Sequence, residues 1–396
     1  MRIYFDHNAT TPVDPAVMAA MTGALRDHFG NASSIHAFGQ DAKAALDDAR
    51  ASVADLIGAR SQEIVFTSGG TESDNLAIRG VAEAQDTGKR RHLVATAIEH
   101  EAVLQTFKAL ARHGWTTTLL PVDRTGIIDP ADAEAAITDE TALVSVMHAN
   151  NEIGTIQSIA EIAAIAHRRG ALCHTDAVQT VGKLGVDVTH LGVDLLSLSA
   201  HKFNGPKGVG ALWIRRGARL VPSMTGGRQE RNRRAGTENI PGIVGLGVAA
   251  RLAHRKHAVE VERIAELRDR LESRILDSVP NTLVNGDQSR RVANTTNISF
   301  DRVEAESLLI ALDLEGVAVS TGSACSSGTL EPSHVLRAMG LPPHRTQNSI
   351  RFSLGLGNTI DQIDHVIEIL PPVVDKLRRV SGASSGAPRT SSVVGG

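Results

Sequence analysis

The sequence predicts an α/β fold built on a mostly parallel sheet, and three observations carry that expectation. Short apolar β-type runs alternate with amphipathic helical stretches through the first two thirds of the chain. The runs are almost continuously apolar, as in strands buried on both faces. Repeated strand–helix–strand order then places helices on both sides of one sheet. At 396 residues the chain is too long for one ordinary core, so two domains are expected.

The elements follow in order. "EIVFTS" (63–68) is a β-type run, and "TESDNLAIRGVAEAQ" (71–85) reads as the helix after it. "HLVATAI" (92–98) precedes a helix that closes on Gly114, and "ALVSVMHA" (142–149) precedes one that closes on Gly170. "ALCHTDA" (171–177) and "VDLLSLS" (193–199) are two further strands. Near "VEVERIAELRDRLESRIL" (259–276) the pattern changes to a long charged amphipathic helix, read as an element that crosses between domains. Mixed strands such as "TTNISF" and helices such as "EAESLLIAL" follow. The last helix starts at Thr359, where Gln362 completes a capping box, and the Gly/Ser-rich tail 381–396 is expected to be disordered.

Composition narrows the function. Hydrophobic residues make up 42% of the chain and charged residues 21%, which is a globular balance. A net charge of -3 argues against a protein whose main task is gripping nucleic acid or an anionic membrane. Two cysteines cannot make a disulfide framework, which points to a reducing compartment. The start "MRIYFDHNATT" has no apolar signal region, and no run of about 18 apolar residues could span a bilayer. A soluble cytoplasmic protein is the expectation.

Several motifs could carry chemistry. Lys202, in "SAHKFNGPKG" (199–208), follows a strand and would face the crevice where α/β folds bind ligands. It is either an imine-forming amine for pyridoxal phosphate or a plain surface lysine. Asp176 ends an apolar strand, where an unpaired carboxylate is costly to bury. It suits the ring nitrogen of that cofactor, or else backbone N–H groups at a helix start. "TSGGTESDN" (67–75) is a strand, two glycines and a hydroxyl-rich helix start, either an anion site or an ordinary cap. "IEHEAV" (98–103) begins like a zinc protease motif, but Leu104 stands where the second His is required. His100 is left to stack on a flat ligand or to serve structure. Arg351 in "NSIRFSLG" (348–355) is a structural ion pair or a fork for a substrate carboxylate. Cys173 reads as a buried inert thiol. Cys325, in "STGSACSSG" (320–328), has only small neighbours and reads as an exposed thiol, nucleophilic if its pKa is lowered.

Taken together, these stretches resemble a known family. "FDHNATTPVDP", "FGNASSIHAFG", "EIVFTSGGTESDNLAI", "HANNEIGTIQ", "HTDAVQTVGKL", "LSAHKFNGPKGVGAL", "RRAGTENIPGIVG" and "STGSACSSGTLEPSHVLRAMG" are similar to the NifS/IscS-type, group I cysteine desulfurases of the class V aminotransferase family. The match runs in the family's order from about Tyr4 to about Arg378, and "SACSSG" with its following insertion marks group I. The departures are the tail and Gly70, where alanine is also common.

The resemblance implies the pyridoxal-phosphate fold of the aspartate aminotransferase type (fold type I). A large cofactor-binding domain would span 14–258. A small α+β domain would combine 1–13 with 259–380 and carry the Cys325 loop. Lys202 would hold pyridoxal phosphate through an imine, Asp176 would pair with its ring nitrogen, Gln179 would bond its ring oxygen and His100 would stack on the ring. Gly70, Thr71, Ser199 and His201 would hold the phosphate, with Thr237 reaching it from the other subunit of a homodimer. Asn151 would contact cofactor and substrate, and Arg351 the carboxylate of L-cysteine. Lys202 would move the Cα proton, and Cys325 would accept the substrate sulfur as a persulfide, releasing alanine. Its partners would be sulfur acceptors such as an iron–sulfur scaffold or a tRNA-thiolating enzyme, with Cys325 a transient iron–sulfur ligand shared with the scaffold. Two rival readings are another enzyme of the same fold, an aminotransferase or selenocysteine lyase, and a non-enzymatic sulfur-relay scaffold. The first leaves Cys325 unexplained, and the second leaves Lys202 and Asp176 unexplained.

Overall fold

The computed structural model of the chain describes residues 2–86, 88–322 and 332–384. Its strands are β1 (Ile3–Tyr4), β2 (Ile64–Thr67), β3 (His92–Thr96), β4 (Thr116–Leu120), β5 (Thr141–Ser145), β6 (Leu172–Asp176), β7 (Leu195–Ser199), β8 (Gly210–Ile214), β9 (Thr282–Asn285), β10 (Thr295–Phe300), β11 (Val317–Ala318) and β12 (Ser349–Ser353). Its helices are α1 (Pro15–Asp27), α2 (Ala37–Leu56), α3 (Gly70–Gln85), α4 (Glu101–Ala111), α5 (Pro130–Ala136), α6 (Ile159–Arg168), α7 (Val188–Leu191), α8 (Ile240–Ser278), α9 (Ala305–Leu314), α10 (His334–Ala338), α11 (Pro343–Thr346) and α12 (Ile360–Ser384).

Seven strands form one sheet in the order β2-β8-β7-β6-β5-β3-β4. Strand β8 runs antiparallel to both neighbours, and every other pairing is parallel. This is the mostly parallel sheet that the alternation predicts. Both faces are covered because successive side chains point opposite ways. Leu196 and Leu198 of β7 pack with residues of α2, α6 and α8, whereas Leu195 packs with Leu76, Ile78 and Val81 of α3 and Phe107 of α4. Truncating one of these buried leucines or isoleucines to Ala would cost about 2–5 kcal/mol. The edge strand β4, "TTTLL", escapes sequence reasoning because its threonines are mostly solvent-facing and break the apolar run.

A second core gathers Phe5, Leu271, Ile275, Ile298, Phe300, Leu308, Phe352 and Leu370. It surrounds the antiparallel sheet β12-β10-β9 and the two-stranded parallel pair β1-β11. The N-terminal strand therefore packs with the last third of the chain. Helix α8 links the cores: Ile243 and Leu246 lie in the first, and Ile264, Leu267 and Leu271 in the second. It starts well before the charged stretch at 259. Its early glycines look like breakers in the sequence but are packing contacts. A Cβ on Gly247 would lie 2.6 Å from the Cα of Ala49, and one on Gly245 would lie 2.8 Å from Met21. The tail expected to be irregular from Ser381 is helical as far as Ser384, because the last turn of α12 continues through these small residues. Residues 385–396 lie outside the described chain. At the front of α12, Gln362 Oε1 accepts from the Thr359 N–H and from Asn358 Nδ2. No described helix is long and apolar enough to cross a membrane.

Candidate active site

Asp176, Ser199, His201 and Lys202 lie at or just beyond the carboxyl ends of the parallel strands β6 and β7, where such sheets bind ligands. Lys202 ends a single 3-10 turn after β7. The turn is closed by N–H groups of Phe203 and Gly205 donating to the Ala200 carbonyl. A Cβ on Gly205 would sit 2.8 Å from that carbonyl oxygen, so glycine is needed there. Lys202 Nζ donates to the carbonyls of Asn8 (2.6 Å) and Ala9 (2.9 Å). Burial lowers its pKa to about 8, and the nearby positive charge of Arg351 acts in the same direction. An amine lowered this far carries a larger neutral, nucleophilic fraction near neutral pH than an ordinary lysine does.

Asp176 ends β6, beside β7, and is buried. Its Oδ1 accepts from the Val178 N–H at 2.9 Å. Burial pushes the Asp176 acid up, opposed by His100, that N–H and Lys202. Asp74 is buried, with Oδ1 3.6 Å from His174 Nε2, and burial together with Asp176 drives its acid well up. Burial raises both acids, and only Asp176 has His100 and Lys202 opposing the rise, so the negative charge of the pair favours Asp176. A buried carboxylate with so few donors needs a cationic N–H partner, which a protonated pyridine ring supplies.

An anion cradle lies next to it. Helix α3 starts at Gly70 after Gly69, whose φ is +150°. The first-turn N–H groups of Gly70, Thr71 and Glu72 have no intrahelical acceptor. A Cβ on Gly69 would lie 3.6 Å from Ser199 Oγ, so the glycine turn and the Ser199 hydroxyl face the same space. His201 follows. Burial and the lysines 202, 207 and 183 lower its pKa to about 4, so it is neutral and its Nδ1 contacts Thr10 Oγ1 at 3.2 Å. The exposed ring of His100 caps α4, with Nδ1 accepting from the Ala102 N–H. Its neutral form thus carries the proton on Nε2. Thr71 and His100 line one hollow with Asn75 and Gln105. These groups fit a phosphate at the helix start and a flat ring between His100 and Asp176.

The other predicted residues have partners of their own. Gln179 Nε2 donates to the Asn8 carbonyl (3.0 Å), and its Oε1 accepts from Lys183 Nζ (2.8 Å). Its amide is fixed by protein groups, whereas the sequence suggested only a cofactor contact. Asn151 offers its backbone carbonyl to Arg351 Nη1 (2.9 Å) and to Asn8 Nδ2 (3.1 Å). Arg351 Nη2 lies 2.6 Å from Asp6 Oδ1, an ion pair that does not by itself decide between its two readings. Among the described residues its buried Nε has no hydrogen-bond partner. Thr237 is exposed, three residues beyond Arg234, which is paired with Glu72 at 2.8 Å. Cys173 is fully buried and burial raises its thiol pKa strongly, matching the inert reading. Cys325 lies outside the described residues. Among the described residues no cluster of His, Cys, Asp and Glu could hold a metal ion.

Sequence reasoning missed three groups. Asn8 joins Lys202, Gln179, Lys183 and Asn151 through both its backbone and side chain. Lys183 is a second amine in the site, its pKa driven well down by burial. Asp6 holds Arg351. Asp6 and Asn8 lie in "FDHNATT" and Lys183 in "VGKL", quoted stretches whose polar residues gave no periodic signal.

The fold and the site together define a class. The Aminotransferase class-V family model matches residues 3–366, and the chain belongs to that family, whose enzymes of this kind depend on pyridoxal phosphate. Within it the chain groups with the cysteine desulfurases. It is 51% identical to the cysteine desulfurase IscS of Dictyoglomus turgidum over 96% of both chains. It is 50% identical to the cysteine desulfurase IscS of Methanosarcina thermophila over 96% of this chain and 93% of that one. Among solved structures, a NifS-like protein superposes with a TM-score of 0.88 at 36% identity, covering 97% of this chain and all of the other. DndA from Streptomyces lividans superposes with a TM-score of 0.76 at 39% identity, over 87% of this chain and 97% of that one.

Proposed function

We propose that this chain takes sulfur from L-cysteine, releasing L-alanine and leaving a persulfide on Cys325. The observation that carries the reading is the pairing of Lys202 and Asp176 just past the ends of adjacent strands, above an anion cradle. Pyridoxal phosphate, when bound, withdraws electrons from the substrate Cα and makes its proton acidic. In this reading Asp176 keeps the ring nitrogen protonated, Gln179 donates to the ring oxygen and His100 covers the ring face. The N–H groups of Gly70 and Thr71, with Ser199 and His201, hold the phosphate. Arg351 and Asn151 orient the substrate carboxylate.

Lys202 holds the cofactor and later moves the Cα proton, a task its lowered pKa suits. The carbonyls of Asn8 and Ala9 aim its amine. The Cys325 thiolate attacks the substrate sulfur: an S–S bond forms and the Cβ–S bond breaks. The electron pair of the broken bond stays on Cβ, which takes up a proton to become the methyl of alanine. The thiolate becomes a persulfide that a second thiol can collect.

The division into a large domain (14–258) and a small one (1–13 with 259–380) is part of the proposal, supported by the two cores and by α8 crossing between them. A homodimer is a further part. Exposed Met18, Leu25, Phe29, Ile35 and Phe38 on and around α1 and α2 form an apolar surface that a second copy would cover. Exposed Thr237 would then complete the partner's phosphate cradle. The free, unpaired Cys173 supports a reducing, cytoplasmic setting, and the acceptors would be thiol-bearing proteins such as an iron–sulfur scaffold or a tRNA-thiolating enzyme.

The deciding experiment is intact-mass measurement after mixing with L-cysteine. The parent and Cys173→Ser should gain one sulfur atom and release alanine. Cys325→Ser should gain none while still binding L-cysteine. Turnover of L-cysteine by Cys325→Ser at the parent's rate would sink the reading.

A further inference from the structure

The β5–α6 connection contains a carboxyl group that no proposed step uses. Glu152 is 1% exposed. Its backbone N–H donates to Asn150 Oδ1 at 2.8 Å, and its carbonyl accepts from Asn297 Nδ2 at 3.2 Å. Both ends of the segment 323–331, which carries Cys325, converge on its side chain. On the far end, the Ser333 hydroxyl donates to Glu152 Oε2 at 2.5 Å. On the near end, Gly322 packs against the same group. A Cβ on Gly322 would lie 3.1 Å from Oε2 and 3.2 Å from Cγ, and its φ of +86° also favours glycine.

The neighbours of these ends are the proposed site residues. The strand bridge at Ser320 pairs in both directions with the backbone of Arg351. Asn151, beside Glu152, accepts from the Arg351 guanidinium. His334, beside Ser333, contacts the Glu99 carbonyl through Nε2 at 2.9 Å, and Glu99 precedes His100. The segment ends are therefore fixed against the elements that carry Arg351, Asn151 and His100. A buried carboxyl placed between two chain ends sets the distance between them.

We infer that Glu152 is a positioning residue for sulfur transfer: it fixes both ends of the Cys325 segment relative to the substrate-binding residues, and it does not touch substrate or cofactor. This rests on the proposed desulfurase reading. It predicts a separation of steps. Removing Glu152 should leave cofactor and L-cysteine binding intact and slow only the step that needs Cys325.

The test compares cofactor-loaded Glu152→Ala, Glu152→Gln, Ser333→Ala and Ser333→Thr with the parent. Glu152→Ala and Ser333→Ala should keep cofactor content and the L-cysteine spectral change. They should form the Cys325 persulfide about ten- to a hundredfold more slowly, the scale on which a small displacement of a reacting group is felt. Glu152→Gln retains an oxygen for Ser333, and Ser333→Thr retains the hydroxyl; both should recover most of the rate. Hydrogen exchange at the amides of Gly322 and Leu336 should speed up in Glu152→Ala and stay near the parent in Glu152→Gln. An unchanged persulfide rate in Glu152→Ala overturns the inference. So does a parallel loss of cofactor binding, L-cysteine binding and transfer, which would mean general damage. If the parent itself gains no sulfur, the desulfurase reading has failed, and the exchange measurement alone still decides whether Glu152 holds the two ends.

Discussion

Arg351 Nη2 lies 2.6 Å from Asp6 Oδ1, an ion pair between residues 345 positions apart. Nη1 is committed to the Asn151 carbonyl, and the buried Nε has no hydrogen-bond partner among the described residues. Arg351→Lys would lose the planar fork that this arrangement aims. The KM for L-cysteine should rise about 10- to 100-fold, the scale of a charged hydrogen bond worth about 1.5–3 kcal/mol, with a smaller change in kcat. Asp6→Asn should destabilise the fold by about 1–3 kcal/mol, discounted because Asp6 is partly exposed. Steady-state kinetics and urea unfolding measure the two effects.

The apoprotein's reaction with free pyridoxal phosphate should follow the Lys202 amine. Only the neutral amine attacks a carbonyl, and its fraction grows as pH rises through the pKa. With that pKa lowered to about 8, the reconstitution rate should climb about tenfold per pH unit below 8 and level off above it. A free lysine would keep climbing toward about 10.5. Stopped-flow absorbance reads the profile, and a rate still climbing at pH 10 would contradict it. Lys202→Ala should give no borohydride-fixed cofactor, although the phosphate cradle still binds the cofactor weakly.

Glu99 offers a stability test with the opposite sign. Burial raises its acid to about 8, with the Thr96 and Met147 donors opposing. The folded chain then holds a proton that the unfolded chain has lost between about pH 4.5 and 8. The contribution of this group is full below about 4.5 and is lost as pH rises through 8. Glu99→Gln should flatten that part of the stability–pH curve, as urea midpoints across the range would record.

Thr237 connects cofactor retention to assembly. If it completes the partner's cradle, dilution that favours monomers should release pyridoxal phosphate, and Thr237→Val should weaken cofactor binding in the intact dimer. Sedimentation velocity with simultaneous absorbance at the cofactor band tests both. A monomer that keeps its cofactor would remove the cross-subunit role.

Two glycine substitutions should differ in sign. A methyl at Gly247 would press on the backbone of Ala49 at 2.6 Å, so α2 and α8 must separate. Gly247→Ala should cost about 1–3 kcal/mol. Gly23 in α1 has nothing within 4 Å of its added Cβ, and Gly23→Ala should gain about 0.5–1 kcal/mol from helix propensity. Urea denaturation of both variants gives the comparison.

The parallel sheet was legible because β3, β5 and β7 are buried throughout and carry short apolar runs, and because β6 follows the apolar start "ALC" although its His174, Thr175 and Asp176 are buried and polar. Lys202 and Asp176 were legible because charge at the end of such a strand needs a reason. The first half of α8 was not, since Gly245 and Gly247 look like breaks until α1 and α2 are packed against them. Asn8, Lys183 and Glu152 were hidden for a different reason. Each acts through contacts with residues far away in the chain, and no local pattern encodes such a partner.

Asp6 and Asn8 come from the first ten residues, and Arg351 from the last strand. The bonds that hold Arg351 therefore exist only once β12 has been synthesised and has met the segment that carries Asp6, whereas those that aim Lys202 need only Asn8 and Ala9. A nascent or truncated chain ending before β12 contains the residues of the sheet, Lys202 and the cradle, but no Arg351 to hold a substrate carboxylate. Reactive sulfur would then be made only by chains that extend past Arg351, so the time the ribosome takes to reach that residue sets the earliest moment of activity.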